Sequence, residues 1–197
     1  GTVYVDKKAT FGTGVVLKSG LANRSADTAA LLTLSAGGDL RVGGTAYLNK
    51  LTIQGADDLY FGGDVYTKET VWDSDAKVVL NGKLEQTISG DGFTVPELTL
   101  TNHSEGGIDF QSTVQVNGTL HTDKDVKIGS SGLKLNGTVD GDTVNGNLTV
   151  LSLKDAELLT LSGTLSFGEQ GVIRNSTLQI GKNLNLGNGT VQLEDTV

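Results

Sequence analysis

Two histidines, His103 in TNHSEGG and His121 in LHTDKD, are the residues of this 197-residue chain best suited to acid–base chemistry. Both sit in polar, turn-like contexts, where an exposed loop histidine is the ordinary reading. No cysteine is available as a nucleophile or thiolate ligand. His121 with Asp123 and Asp125 offers the ligand types for a metal, and strand alternation would place all three on one solvent-facing side. Nothing singles out a carboxylate pair for glycoside hydrolysis. These residues point away from an enzyme.

Acidic clusters at Asp57/Asp58/Asp64, Asp73/Asp75 and Asp140/Asp142/Asn145 raise the question of calcium. The last, in VDGDTVNGN, is the best of them, since oxygen ligands alternate beside glycine. The closing glutamate of an EF-hand and the nonapeptide repeats of calcium-loaded β-rolls are both missing, and Asp-Gly turn chemistry accounts for the same residues. Calcium is therefore a side candidate, and no other cofactor is expected. Tyr60, Phe61, Tyr66 and Trp72 cluster in LYFGGDVYTKETVW, either as a sugar-stacking or partner-binding platform or as ordinary core and edge packing. Seven glycosylation sequons occur, at Asn23, Asn102, Asn117, Asn136, Asn147, Asn175 and Asn188. The three Asn-Gly-Thr members also read as a tight turn followed by a β-branched strand starter.

Composition narrows the partners. The net charge is −8 with acids scattered along the chain, so no basic stripe exists to neutralise a phosphate backbone, and nucleic acid is excluded as a partner. The longest apolar run, Ala29–Leu32, is far short of the roughly 18 residues a membrane helix needs. The absence of cysteine leaves the redox compartment open. A start without methionine is expected of a chain that begins at a processing site or is a piece of something larger.

The elements that must carry these residues are strands. From about Leu31 the apolar residues alternate in short pairs, including Leu40/Val42, Leu51/Ile53, Leu98/Leu100, Ile108/Phe110, Val114/Val116, Leu133/Leu135, Leu148/Val150 and Leu165/Phe167. Asn-Gly, Ser-Gly, Gly-Asp and Gly-Asn turns separate them. Hydrophobic residues make up 37% and aromatics only 5%, which favours many thin apolar layers over one thick core. Twenty-eight glycines against one proline, Pro96, fit frequent turns between hydrogen-bonded strands. VNGTL at 116–120 returns as LNGTV at 135–139, and related cassettes fall at Asn81, Ser162-Gly163 and Asn188. A sandwich has no reason to reuse a turn at one coil length, whereas a solenoid returns to the same corner every turn. The expected fold is all-β, a single-stranded parallel β-helix of about 18–20 residues per coil and ~9–10 coils. Residues 1–30 are expected to form an entry or cap segment and 31–197 the solenoid. Ser25–Leu32 and Leu153–Leu159 are the segments with helical character.

The stretch 78–128 resembles a repeat of large secreted surface proteins of the Bacteroidetes and relatives. The matching residues are Gly82, Gln86-Thr87-Ile88-Ser89-Gly90, Gly92, Leu98-Thr99-Leu100 and Val114 through Leu120. The resemblance implies a parallel β-helix on the cell surface without catalysis, and it transfers no functional residues. GNLTV and GDLRV also echo phage tail-fibre sequences. The function expected is a non-catalytic extracellular structural protein, a self-associating subunit of a surface filament, sheath or layer. The alternatives are a stalk segment of a larger adhesin and a tail-fibre-like or carbohydrate-binding β-helix. The expected partners are copies of the chain itself, and after them a surface glycan.

Overall fold

The computed structural model describes residues 1–5, 8–11, 15–18, 20–23, 30–34, 39–55, 58–186 and 190–194. Among them every regular element is a strand, there is no helix, and every strand ladder is parallel. The chain winds as a β-solenoid, each coil laying its strands on the previous one. A first face holds ten strands, from Val3–Tyr4 to Leu178–Ile180. Ten strands at about 4.8 Å each make a rod about 45 Å long. The second face holds four strands, Lys8–Phe11, Ala30–Leu34, Leu51–Gly55 and Val71–Ser74. The third runs from Val15–Leu17 to Leu184–Asn185, with Thr190–Glu194 also pairing on Leu165–Arg174.

The second face ends because the chain changes its way of turning. From Phe93–Leu100 onward, single long strands replace the separate strands of the second and third faces. Val114–Thr122, Leu133–Asp140, Leu148–Lys154 and Leu165–Arg174 follow the same plan. Three of the four ladders between these long strands slip register partway, between Val95 and Glu97, Leu135 and Asn136, and Val150 and Ser152, while Val114–Thr122 and Leu133–Asp140 stay in one register. Pro96 stands at the first of these slips, where its missing N–H is tolerated because the ladder is already interrupted. The next coils place Gly118 and Gly137 there. A Cβ on Gly118 would lie 2.3 Å from the Pro96 carbonyl oxygen, and one on Gly137 1.9 Å from that of Gly118. The NGT phrase is thus a bend within a strand, with its glycine demanded by the close approach of successive coils.

That placement corrects the reasoning from repeats. Asn117 and Asn136 do occupy one corner, 19 residues apart. Asn81 instead follows the third-face strand Val78–Leu80, and Ser162-Gly163 follows the first-face strand Leu159–Leu161. The cassette marks several corners, because any tight bend between stacked coils favours the same small residues. Coil length varies accordingly, from the 15 residues between Lys134 and its ladder partner Thr149 to the 25 between Val15 and Leu40.

The helical expectations fail for a similar reason. Ala30–Leu34 is a strand, the rest of that segment lying outside the described residues. In LKDAELL, Leu153, Ala156 and Leu159 turn inward around a corner at Asp155, whose φ is +56°. Stacking on the neighbouring coil overrides local propensity, and Asn175 repeats the corner with φ +47° and a 3.1 Å bond from Nδ2 to Asp155 Oδ1. The first 30 residues supply strands to all three faces, and these pair in parallel with the coils that follow.

The interior is one continuous column of Leu, Val, Ile and a few Phe from Val5 to Ile173. Ladder partners repeat the same inward position, as in Leu40, Leu59, Val78 and Leu98, each at most 1% exposed. Burying one such side chain contributes about 2 kcal/mol. Three polar residues, Thr67, Gln86 and Asn102, are also fully buried, and the last two bond to each other. Gln86 donates from Nε2 to the carbonyls of Phe61 and Gly63, while its Oε1 accepts from the Gly82 N–H and from Asn102 Nδ2. Asn102 donates in addition to the Leu84 carbonyl, and its Oδ1 accepts from the Ser104 N–H. This pair ties down the 81–85 corner with its hydrogen-bonding capacity met.

Candidate functional site

The solvent side of the third face carries a ladder of charge. In-register stacking puts Asp58, Lys77 and Glu97 at equivalent positions on successive coils. Lys77 Nζ lies 3.6 Å from Asp58 and 3.7 Å from Glu97. Partial desolvation lowers the Lys77 pKa, but the nearby Asp58, Glu97 and Tyr60 outweigh it, so the net shift is upward. His121 Nε2 continues the chain at 3.0 Å from Glu97, and its Nδ1 lies 2.7 Å from Asp140. With carboxylate oxygens facing both ring nitrogens, His121 bridges neighbours and has no nitrogen aimed at a substrate. Nearby, the Arg41 guanidinium sits 3.6 Å over the Tyr60 ring. Such opposite-charge rungs hold coils in register more than they do chemistry.

The proposed grouping of His121 with Asp123 and Asp125 does not form. The strand ends at Thr122, and a turn closed by Val126 N–H to the Asp123 carbonyl at 3.1 Å breaks the alternation that would have aligned them. Asp123 turns instead to His103 Nε2, at 3.0 Å, and Asp125 is exposed. The calcium candidates are likewise dispersed. Asp140 faces His121, Asp142 Oδ1 accepts from the Thr143 hydroxyl, and Asn145 Oδ1 accepts from the Ser162 hydroxyl. Among the other acids, Asp64 caps the Thr87 N–H, while Asp57 and the Asp73 side chain lie outside what the structure describes. Among the described residues no three His, Cys, Asp or Glu side chains converge to hold a metal ion.

The four aromatics of LYFGGDVYTKETVW are separated. Tyr60 is on the outside of the third face, Phe61 is fully buried, Tyr66 is on the first face and Trp72 on the second. Trp72 packs on Phe93 with ring centroids 4.9 Å apart and edge-on to Phe61 at 6.4 Å, joining the last second-face strand to the first bent strand. Its Nε1 is buried without a hydrogen-bond partner. Sequence reasoning missed Tyr4 and Tyr47. Both are outward on the first face, and the period-two alternation of Val3-Tyr4 and Ala46-Tyr47 was the available signal.

The sequons sort by exposure. Asn102 is fully buried and Asn23 is 7% exposed, with Asn23 Nδ2 bonded to the Asn49 carbonyl at 2.9 Å. Asn117, Asn136 and Asn175 are exposed, Asn147 is half-buried, and Asn188 lies outside the described residues. Asn136 Nδ2 donates to Asn117 Oδ1 at 3.2 Å, a rung of an asparagine ladder at the bend.

The column's last layer is different again. Leu184 sits in register with Leu165 and Leu193 with Ile173, and Leu186 follows Leu184 by two positions as Phe167 follows Leu165. The three earlier residues are at most 9% exposed, yet Leu184, Leu186 and Leu193 are 53%, 50% and 63% exposed. Inward-facing leucines are therefore left uncovered at this end of the described solenoid. Comparison with protein-family models, with curated proteins and with solved structures finds no match for the chain.

Proposed function

We propose that this chain is a non-catalytic structural β-solenoid that associates with copies of itself as part of a cell-surface filament, sheath or layer. The uncovered leucine layer carries the reading. Leu184 and Leu193 in core register, with Leu186 beside them, are an apolar surface that another coil would bury. A coil that covers them adds in parallel, as every ladder in the described solenoid does. The charge rungs, the asparagine ladder and the satisfied Gln86–Asn102 pair support the same reading, since they stiffen a stack.

Negative-stain electron microscopy of the purified chain, with light scattering on the same sample, tests it. Regular fibres or sheets are expected. Discrete monomeric rods would overturn self-association and favour a stalk segment, in which further coils of one chain cover the same leucines.

A further inference from the structure

The solvent side of the first face carries a row of tyrosines with one gap in it. Parallel register aligns Tyr4, Ala22, Tyr47 and Tyr66 on four successive strands, all at the outward position. Tyr47 and Tyr66 are neighbours, with ring centroids 6.2 Å apart. Between Tyr4 and Tyr47, however, the row holds only a methyl group. Two strand steps separate those tyrosines, about 9.6 Å. A flat ring touching an aromatic on each side needs about 7 Å. Tyr4 and Tyr47 are 54% and 53% exposed, Ala22 between them is only 5% exposed, and the hollow they line with Asn23, Asn49, Tyr66 and Lys68 measures about 540 Å³.

We propose that this hollow is a binding site for a neutral sugar, a pyranose ring stacked against the tyrosines within an oligosaccharide. Two features select that chemistry. Asn49 lines the hollow and its buried Oδ1 has no hydrogen-bond partner, so a rotation of this side chain toward the hollow would give that acceptor a ligand hydroxyl. Lys68 on the rim disfavours the cationic ligands that tyrosine clusters otherwise attract. A ring that is apolar on its faces and hydroxyl-bearing at its edge meets both conditions, and tyrosine presents the matching surface. The site lies on the solvent side of the first face, starting at its terminal strand Val3–Tyr4 and at the opposite end from the exposed leucines.

The test is a titration of the purified chain, followed by NMR and isothermal calorimetry, with neutral tetrasaccharides of glucose, N-acetylglucosamine and galactose, and with choline as the cationic control. Saturable binding of at least one tetrasaccharide is expected, with shift changes at Tyr47, Tyr66 and Asn49. Ala22→Tyr, which fills the gap, should weaken it about tenfold or more with an unchanged circular dichroism spectrum. Should Ala22→Tyr fail to fold, Tyr47→Ala, at an exposed side chain, must show the same loss. Binding of choline alone, no saturable binding to any tetrasaccharide, or affinity unchanged in the folded variants would each overturn the proposal.

Discussion

Between residues 3 and 80 each coil is built from three short strands joined at separate corners, whereas from Phe93 onward two of those strands become one that bends within itself. The early corners are spacious enough to hold side chains in unusual backbone conformations: Lys50 and Glu69 sit at φ +49° and +50°. The later bend has no such room, because Gly137 rests directly on Gly118 and Gly118 on Pro96. Where these two coils stack, the bend brings backbone against backbone, and glycine is the residue that admits so close an approach. Trp72 and Phe93 mark where one plan gives way to the other.

Cutting that seam should have the largest effect. Trp72→Ala is expected to destabilise the protein by about 4 kcal/mol, and differential scanning calorimetry should then resolve two transitions where the parent shows one. A single unshifted transition would mean that the two regions are not joined there. Gln86→Leu, between Trp72 and Phe93 in the chain, takes the Gln86 donor from the Gly63 carbonyl and the Gln86 acceptor from the Gly82 N–H and Asn102 Nδ2, and should cost about 3 kcal/mol in urea denaturation.

The corners themselves give effects of opposite sign. Gly137→Ala should destabilise by about 2 kcal/mol, since backbone has to move to admit a Cβ. Lys50→Gly should be neutral or stabilising by a few tenths of a kcal/mol, because it relieves a left-handed lysine. Equal losses at both positions would erase the distinction between the two regions.

The smallest effect is on the charge ladder. The Lys77 pKa is raised on folding, so the stability it contributes is fully present below the ordinary lysine value of about 10.4 and is lost as pH rises through the higher folded value. Stability of Lys77→Met relative to the parent should therefore be constant from pH 7 to 9 and improve only above about pH 10.4. A relative change centred below pH 9 would assign the ladder's strength to other groups.

Much of the fold was legible because period-two alternation is a direct imprint of the column: Leu98/Leu100, Ile108/Phe110 and Val114/Val116 all point inward as their spacing implies. Only one pair of repeated turns, Asn117 and Asn136, marks the same corner on successive coils, while Asn81 and Ser162 belong to other corners. The site was harder to read. Which outward residues meet depends on register between coils, so Tyr4 and Tyr47, 43 residues apart, share a row, whereas the adjacent Tyr60 and Phe61 face opposite ways. His121 shows the same thing, finding Glu97 and Asp140 on neighbouring coils and not the acids that follow it in sequence. Alternation within a strand is written locally, and partnership between strands is not.

The central claim, that the uncovered leucines drive association, is tested most directly by sedimentation velocity on the parent chain beside Leu184→Glu/Leu193→Glu over a range of concentrations. The parent should sediment as concentration-dependent assemblies and the double variant as a single rod-shaped monomer of unchanged circular dichroism. Assembly that is equally strong in the variant, or a parent that stays monomeric throughout, would contradict the account.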